Sequence, residues 1–279
     1  MRLANVRGRG VILTGGSSGA DVHKASDGAF GPDLPSIYRD WEAFRAWAAS
    51  IELGADVTFE VEDLQAPSPA PPQVFAIGLN YEEHARETGF DAPTDLPPVF
   101  AKFASSLTGP TGEIDLPEGN VDWEVEVVAV IGRAAHRVSA EHAWDHVAGL
   151  TVGQDLSERV RQFQGQAPQF GLAKSFPKFS PTGPWLVSPD ELENRDDLAL
   201  GCSIDGEVMQ DGRTSNLLVD IPHGIAALSE VVTLLPGDLI FTGTPDGVGL
   251  GLVPARFLRS GETLHSWVEG IGTMTHTFR

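Results

Sequence analysis

Three carboxylates, a histidine and two lysines are the side chains of this sequence whose types and spacing could do chemistry. The run Asp122-Trp123-Glu124-Val125-Glu126-Val127-Val128-Ala129-Val130-Ile131-Gly132 reads as a long β-branched strand. With a period of two, Trp123, Val125, Val127 and Ile131 share one face, and Glu124, Glu126, Val128 and Val130 share the other. Both faces become apolar toward Ile131, so the strand is expected to be buried on both sides. Two carboxylates on such a strand repel each other and resist ionisation unless a cation lies between them. Same-face neighbours on a strand lie ~7 Å apart, close enough to converge on one hard divalent ion. The competing reading is a wet strand end with exposed glutamates. Asp155 is the natural third ligand, because it ends the strand-like segment 148–153 where a polar loop begins. Three carboxylates suit Mg²⁺ or Mn²⁺ and not zinc, since no Cys/His cluster with ligand spacing accompanies them. His142 and His146, four apart on a short helix, lack an evident third partner and read as surface histidines.

His84 and Glu87 follow the strand 74–78 at a spacing of three, so they share one face of a helical turn. The carboxylate could then orient and charge-support the imidazole, the arrangement of a water-activating base. A solvated surface pair has the same spacing. Lys102 and Lys174 each stand among apolar residues, which suits a head group held in a pocket or one that snorkels to solvent. The loop 241–249 (FTGTPDGVG) lacks the Gly-Lys-Ser/Thr end of a phosphate loop, but Thr244 could offer a hydroxyl or a backbone amide to a ligand.

These groups need a frame, and the pattern describes a β-rich α+β one. Strands are expected at 74–78, 121–132, 148–153 and 239–241, with a hairpin over 201–210 turning at Asp205-Gly206. Helices are expected at 41–51, at 139–149 between Ser139 and Gly149, and at 220–235 ahead of Pro236-Gly237. The Pro/Ala stretch 67–72 reads as a linker between a small N-terminal domain (1–66) and a larger one (73–279). The segment 11–19 (VILTGGSSG) looks like a dinucleotide loop. The residues after it lack the apolar run of a Rossmann helix, so a hairpin turn is the better reading.

Composition excludes several classes. The chain has 279 residues with 31 Gly and 20 Pro, many short elements and no collagen-like period. Nineteen basic against 39 acidic residues give a net charge of −20, which repels nucleic acid and anionic membrane surfaces. A single cysteine, Cys202, and no long apolar run point to a cytoplasmic protein with no membrane span.

Taken in order, Gly78-Leu79-Asn80-Tyr81 with His84, Phe100-Ala101-Lys102, Asp122-Trp123-Glu124-Val125-Glu126, Val152-Gly153-Gln154-Asp155-Leu156-Ser157, Lys174-Ser175-Phe176, Pro181-Thr182-Gly183-Pro184-Trp185 and Thr242-Gly243-Thr244-Pro245 resemble the fumarylacetoacetate hydrolase family. The resemblance implies a mixed β-roll behind a small N-terminal α+β domain, assembled as a homodimer. It implies Mg²⁺ or Mn²⁺ held by Glu124, Glu126 and Asp155, with His84 and Glu87 activating water and Lys174 contacting substrate. Lys102, Ser157, Arg159, Gln162 and Thr244 are expected around the substrate. Phe103, Gln154 and Pro177 depart from the family's usual Pro, Asn and Asp.

A small anionic 2-oxo acid would chelate such a metal, which resolves the difficulty that the −20 charge sets for an anionic substrate. Stabilising its enolate at C3 serves three reactions. They are C–C hydrolysis of a 2,4-dioxo acid of acylpyruvate or fumarylpyruvate type, decarboxylation as of oxaloacetate, and isomerisation of a 2-hydroxy-dienoate. The His84–Glu87 pair favours hydrolysis, the route that demands an activated water. A non-catalytic binding protein on the same fold is the reading of another class, and the full set of five polar groups speaks against it.

Overall fold

A computed structural model describes residues 1–93, 96–166 and 169–279. Its main sheet has twelve strands, of which Leu64–Gln65 and Leu107–Thr108 pair off the main path; along that path lie β1 (Arg2–Val6), β2 (Arg9–Gly15), β3 (Ser18–Asp21), β4 (Val57–Thr58), β5 (Val74–Ile77), β6 (Val99–Ala101), β7 (Val125–Ile131), β8 (Val147–Gln154), β9 (Ser180–Val187) and β10 (Leu239–Phe241). Their order in space is β4-β3-β2-β1-β9-β8-β7-β10-β5-β6. β7 pairs antiparallel with β8 and β10, and β10 runs parallel to β5, so the sheet is mixed. A second sheet joins Glu207–Arg213, Ala199–Ile204, Thr263–Val268, Gly272–Phe278 and Thr111–Ile114. The architecture is β-rich α+β.

β7 is buried along its whole length, as its two apolar faces require. Val125, Val127, Ala129 and Ile131 share a core with Leu200, Cys202 and Leu264 of the second sheet. Val128 and Val130 share another with Trp41 and Phe44 of α1 (Trp41–Ser50), whose apolar spacing matches the expected helix. The first sixty residues therefore extend the main sheet. β1 pairs with β9 (Leu3↔Leu186). The Pro/Ala stretch is docked between the parts, with Tyr38 Oη donating to Pro67 O at 2.8 Å and Ser68 Oγ to Gly237 O at 2.6 Å. Segment 11–19 is a hairpin of β2 and β3, and a Cβ on Gly19 would lie 2.4 Å from Ile12 O.

Three elements differ from the expectation. The strand 121–132 is broken, because Val121–Asp122 leaves to pair with Ser157–Glu158 and only Val125–Ile131 stays in the main sheet. The helix at 139–149 is one turn, Ala140–Ala143, followed by a 3₁₀ turn, Trp144–His146. Gly149 belongs to β8 instead, where a Cβ would lie 2.5 Å from Val187 O, so it serves close strand packing and not a helix end. The helix expected at 220–235 spans Ile221–Val231, capped by the Asp220 side chain, and stops well before Pro236.

One turn prepares the active region. Leu79, directly after β5, has φ 56°, a left-handed conformation that a leucine rarely adopts. Asn80 holds it: Nδ2 donates to Val219 O at 2.9 Å and Thr242 O at 2.7 Å, and Oδ1 accepts from Val219 N at 2.8 Å. The surroundings thus over-determine a strained turn, which launches α2 (Glu82–Glu87) with His84 on its buried side. Asn80→Ala should destabilise the protein by about 3 kcal/mol, one net contribution per lost hydrogen bond. An unchanged urea midpoint would count against this role for Asn80.

Candidate active site

The two halves of the carboxylate cluster come from neighbouring strands. Glu124 immediately precedes β7, Glu126 lies within it, and Asp155 immediately follows β8. Asp155 N donates to Glu124 O at 2.9 Å, which ties two of them through the backbone. Where the strand is broken, side chains replace the ladder. Gln154 Oε1 accepts from Glu124 N and Gln210 Oε1 from Val125 N, both at 2.9 Å. Ligand atoms of Glu124, Glu126 and Asp155 lie within 4.8 Å of one another, and all three residues are buried. The wet strand end is thereby excluded.

Three buried cations answer this charge unevenly. Lys174 Nζ lies 2.5 Å from Glu124 Oε2 and 2.8 Å from Asp155 Oδ2. Lys102 Nζ pairs with Asp155 Oδ1 and donates to Lys174 O at 2.6 Å. Arg159 Nη2 lies 2.8 Å from Glu124 Oε1 and 2.7 Å from Asp122 Oδ2. Burial alone would push the Glu124 carboxyl up, but Lys174 and Arg159 outweigh it and hold it at about 2. Glu126 is different. Among the described residues no side-chain cation pairs with it, and it accepts one backbone bond, from Gly243 N at 2.7 Å. Burial first, then the charges of Asp155 and Glu124, push its carboxyl well above the usual range. An all-oxygen, buried donor set with one uncompensated carboxylate fits a hard divalent cation such as Mg²⁺ or Mn²⁺.

His84 faces this cluster from α2. Its Nδ1 lies 2.9 Å from Glu87 Oε1, so the carboxylate fixes the hydrogen on Nδ1 and leaves Nε2 as the basic nitrogen. Glu87 in turn accepts from Gly247 N at 2.9 Å and Val248 N at 3.4 Å. The same loop reaches the rest of the site, with Gly249 N donating to Asp122 Oδ1 at 2.7 Å and Leu250 N to Asp122 Oδ2 at 3.0 Å. Only glycine permits this approach at 249, where a Cβ would lie 1.9 Å from Arg256 O. The cavity enclosed has about 420 Å³ of space including its open mouth. Its floor is the three carboxylates with Lys174, Arg159 and Gln162, flanked by His84 and Thr88. Its more exposed lining is apolar: Phe90, Phe163, Phe170 and Leu250.

The structure brings most of the expected residues together. Glu124, Glu126, Asp155, His84, Lys174, Arg159, Gln162 and Thr244 all line the cavity. Glu87 stands behind His84 as its partner. Two expected substrate contacts, Lys102 and Ser157, are not among the residues that line the cavity: the Lys102 ammonium pairs with Asp155 Oδ1, and Ser157 Oγ donates to Asp155 O at 2.9 Å. Thr244 Oγ1 gives its proton to Val125 O at 2.8 Å, so its hydroxyl acts as a brace. His142 and His146 bind Asp145 and Ala134 O, away from the site. Sequence reasoning missed Asp122, Gln154 and the aromatic mouth. Asp122 shares the face of Glu124 and Glu126 two residues earlier, a signal that could have found it; the Phe residues carried none.

A buried carboxylate cluster at the end of paired central strands, facing a His–Glu pair across a small cavity, defines a metal-dependent enzyme of small-molecule chemistry. The model of the fumarylacetoacetate hydrolase C-terminal domain matches residues 73–279, and the chain belongs to this family of enzymes. The mitochondrial oxaloacetate tautomerase of Homo sapiens is 38% identical over 259 residues, covering 88% of this chain and 81% of the human protein. A crystal structure from Mycobacterium smegmatis designated an HpcE protein superposes with a TM-score of 0.95 at 49% identity, over 100% of this chain and 99% of that one. Maleylpyruvate hydrolase from Sphingobium sp. SYK-6, in complex with manganese (II) ion and pyruvate, superposes with a TM-score of 0.79 at 29% identity, over 100% and 98%.

The uneven compensation of the carboxylates gives a stability test. Mn²⁺ at one hundred times its dissociation constant should stabilise the metal-stripped protein by about 2.7 kcal/mol, and Glu124→Ala or Asp155→Ala should remove that gain. Glu126→Gln should leave the metal-free protein at least as stable as wild type at pH 7 while also losing the Mn²⁺ effect. Thermal unfolding that shows the same Mn²⁺ shift in all three variants would refute the ligand set.

Proposed function

We propose that the chain is a divalent-metal-dependent hydrolase that cleaves a C–C bond of a 2,4-dioxo acid. The observation that carries this reading is the His84–Glu87 pair, 2.9 Å apart, on the wall of a cavity floored by Glu124, Glu126 and Asp155. The three carboxylates would hold Mg²⁺ or Mn²⁺, which when bound supplies Lewis acidity toward the carboxylate and 2-oxo oxygens of the substrate. Lys174 is placed to donate to the same end of the substrate, and Gln162, anchored at 2.9 Å to Arg159, helps to orient it. His84 Nε2 takes a proton from water as the oxygen attacks C4, and Glu87 stabilises the imidazolium. Breaking C3–C4 releases a carboxylic acid, solvent protonates the pyruvate enolate at C3, and the imidazolium returns its proton to solvent. The manganese and pyruvate bound to the Sphingobium hydrolase support the assignment.

A second reading is favoured by the human oxaloacetate tautomerase: the same groups could relocate a proton of a 2-oxo acid, with His84 moving it. A homodimer acting in the cytoplasm belongs to the proposal, supported by apolar side chains at the surface such as Val231 and Val253. Among the described residues no helix is long and apolar enough to cross a membrane.

The two readings part at His84. If it activates water, His84→Ala should lose acylpyruvate cleavage by about 10²–10⁴-fold and keep deuterium exchange at C3 of pyruvate in D₂O. Under the tautomerase reading, exchange should disappear together with turnover. Wild-type protein that cleaves no acylpyruvate but tautomerises a 2-oxo acid would replace the hydrolase by the second reading.

A further inference from the structure

The cavity that the proposed function uses also discriminates at its other end. We infer that the substrate carries one carboxylate, at its 2-oxo end, and an uncharged apolar tail beyond C4. This rests on the reading that the site takes a 2-oxo acid.

The first argument is charge. The lining holds three carboxylates, Glu124, Glu126 and Asp155, against two permanent cations, Lys174 and Arg159. Directly behind it stand Asp122 and Glu87 against Lys102. Two negative charges are therefore in surplus, and a divalent ion would cancel them. One substrate carboxylate would be held by that ion. A second would add further net negative charge in a cavity whose host already carries −20. Both lining cations are engaged at the floor, beside the 2-oxo end. Lys174 is shared between Glu124 and Asp155, and Arg159 is shared among Asp122, Glu124 and Gln162.

The second argument is the mouth itself. Phe90 and Phe163 line it at 41% and 39% exposure. Phe170 is fixed in place edge-on to Phe100, with ring centroids 5.4 Å apart. Phe163 follows directly on the short helix Arg159–Gln162, so one element gives both a floor group and a mouth group. Arg159 and Phe163 are four residues apart, about one helical turn or ~6 Å along the helix axis. The neighbouring cation Arg161 does not enter the cavity, and its guanidinium lies over the Phe176 ring at 5.8 Å.

A matched pair of inert probes tests this. 2-Oxohexanoate and 2-oxohexanedioate differ by a methyl against a carboxylate at the far end, and pyruvate reports the shared end. Calorimetry on the Mn²⁺-loaded protein should show 2-oxohexanoate binding at least about tenfold tighter than the dicarboxylate. Phe163→Ala should weaken 2-oxohexanoate about five- to tenfold while pyruvate is unchanged, and Leu250→Lys should narrow or reverse the preference. Equal or tighter binding of the dicarboxylate by wild type, with pyruvate still bound, would overturn the neutral tail and leave the proposed function standing. A preference that survives Phe163→Ala and Leu250→Lys unaltered would overturn the role of the mouth. Failure of all three probes to bind would overturn the proposed function and this inference with it.

Discussion

Three carboxylates buried within 4.8 Å of one another set the terms for everything around them. At that separation like charges repel by roughly 3–4 kcal/mol per pair even with an effective dielectric constant near 20. The fold meets this by placing Lys174, Lys102 and Arg159 at the cluster from three different segments, and by burying β7 on both faces so that these pairings act in a dry interior. The compensation is deliberately incomplete in one respect. Glu126 has a single backbone N–H and two repelling neighbours, which makes it the ligand that gains most from a cation. Affinity for a hard metal and instability without one are here the same property.

The glycine loop after β10 couples this centre to the His84–Glu87 pair. Its backbone N–H groups reach three carboxylates in succession: Glu126 from Gly243, Glu87 from Gly247, and Asp122 from Gly249 and Leu250. A carboxylate held by backbone donors keeps both its charge and its direction. His84 is therefore oriented by the same segment that braces the metal ligands, although it arrives on a separate helix. The strained turn at Leu79, pinned by Asn80, completes that placement from the other side.

Proteins similar to this chain carry different names, among them a tautomerase and a hydrolase. The difference is physically reasonable, because generating negative charge next to a 2-oxo group is common to both reactions and only the fate of the charge differs. In the proposed function the polar floor serves the shared step, and the apolar mouth tells one substrate from another.

How much of this was legible in the sequence follows from the range of each signal. The carboxylate ligands, the His84–Glu87 pair, β7 with its two apolar faces, α1 and the Asp205-Gly206 hairpin were all readable, because period and spacing are local properties of the chain. The motif order along 73–279 was equally readable and placed the chain in its family. What spacing could not reveal was partnership across long separations. Lys102 looked like a substrate contact but is held behind Asp155, 53 residues away, and Thr244 turned its hydroxyl to Val125. Gly149 looked like a helix end, yet close contact with Val187 assigns it to a strand. The aromatic mouth, too, exists only once Phe90, Phe163 and Phe170 converge. Local pattern determines which groups are able to act; the packing of distant strands decides which of them face the same space, because only there do desolvation and charge pairing select their roles.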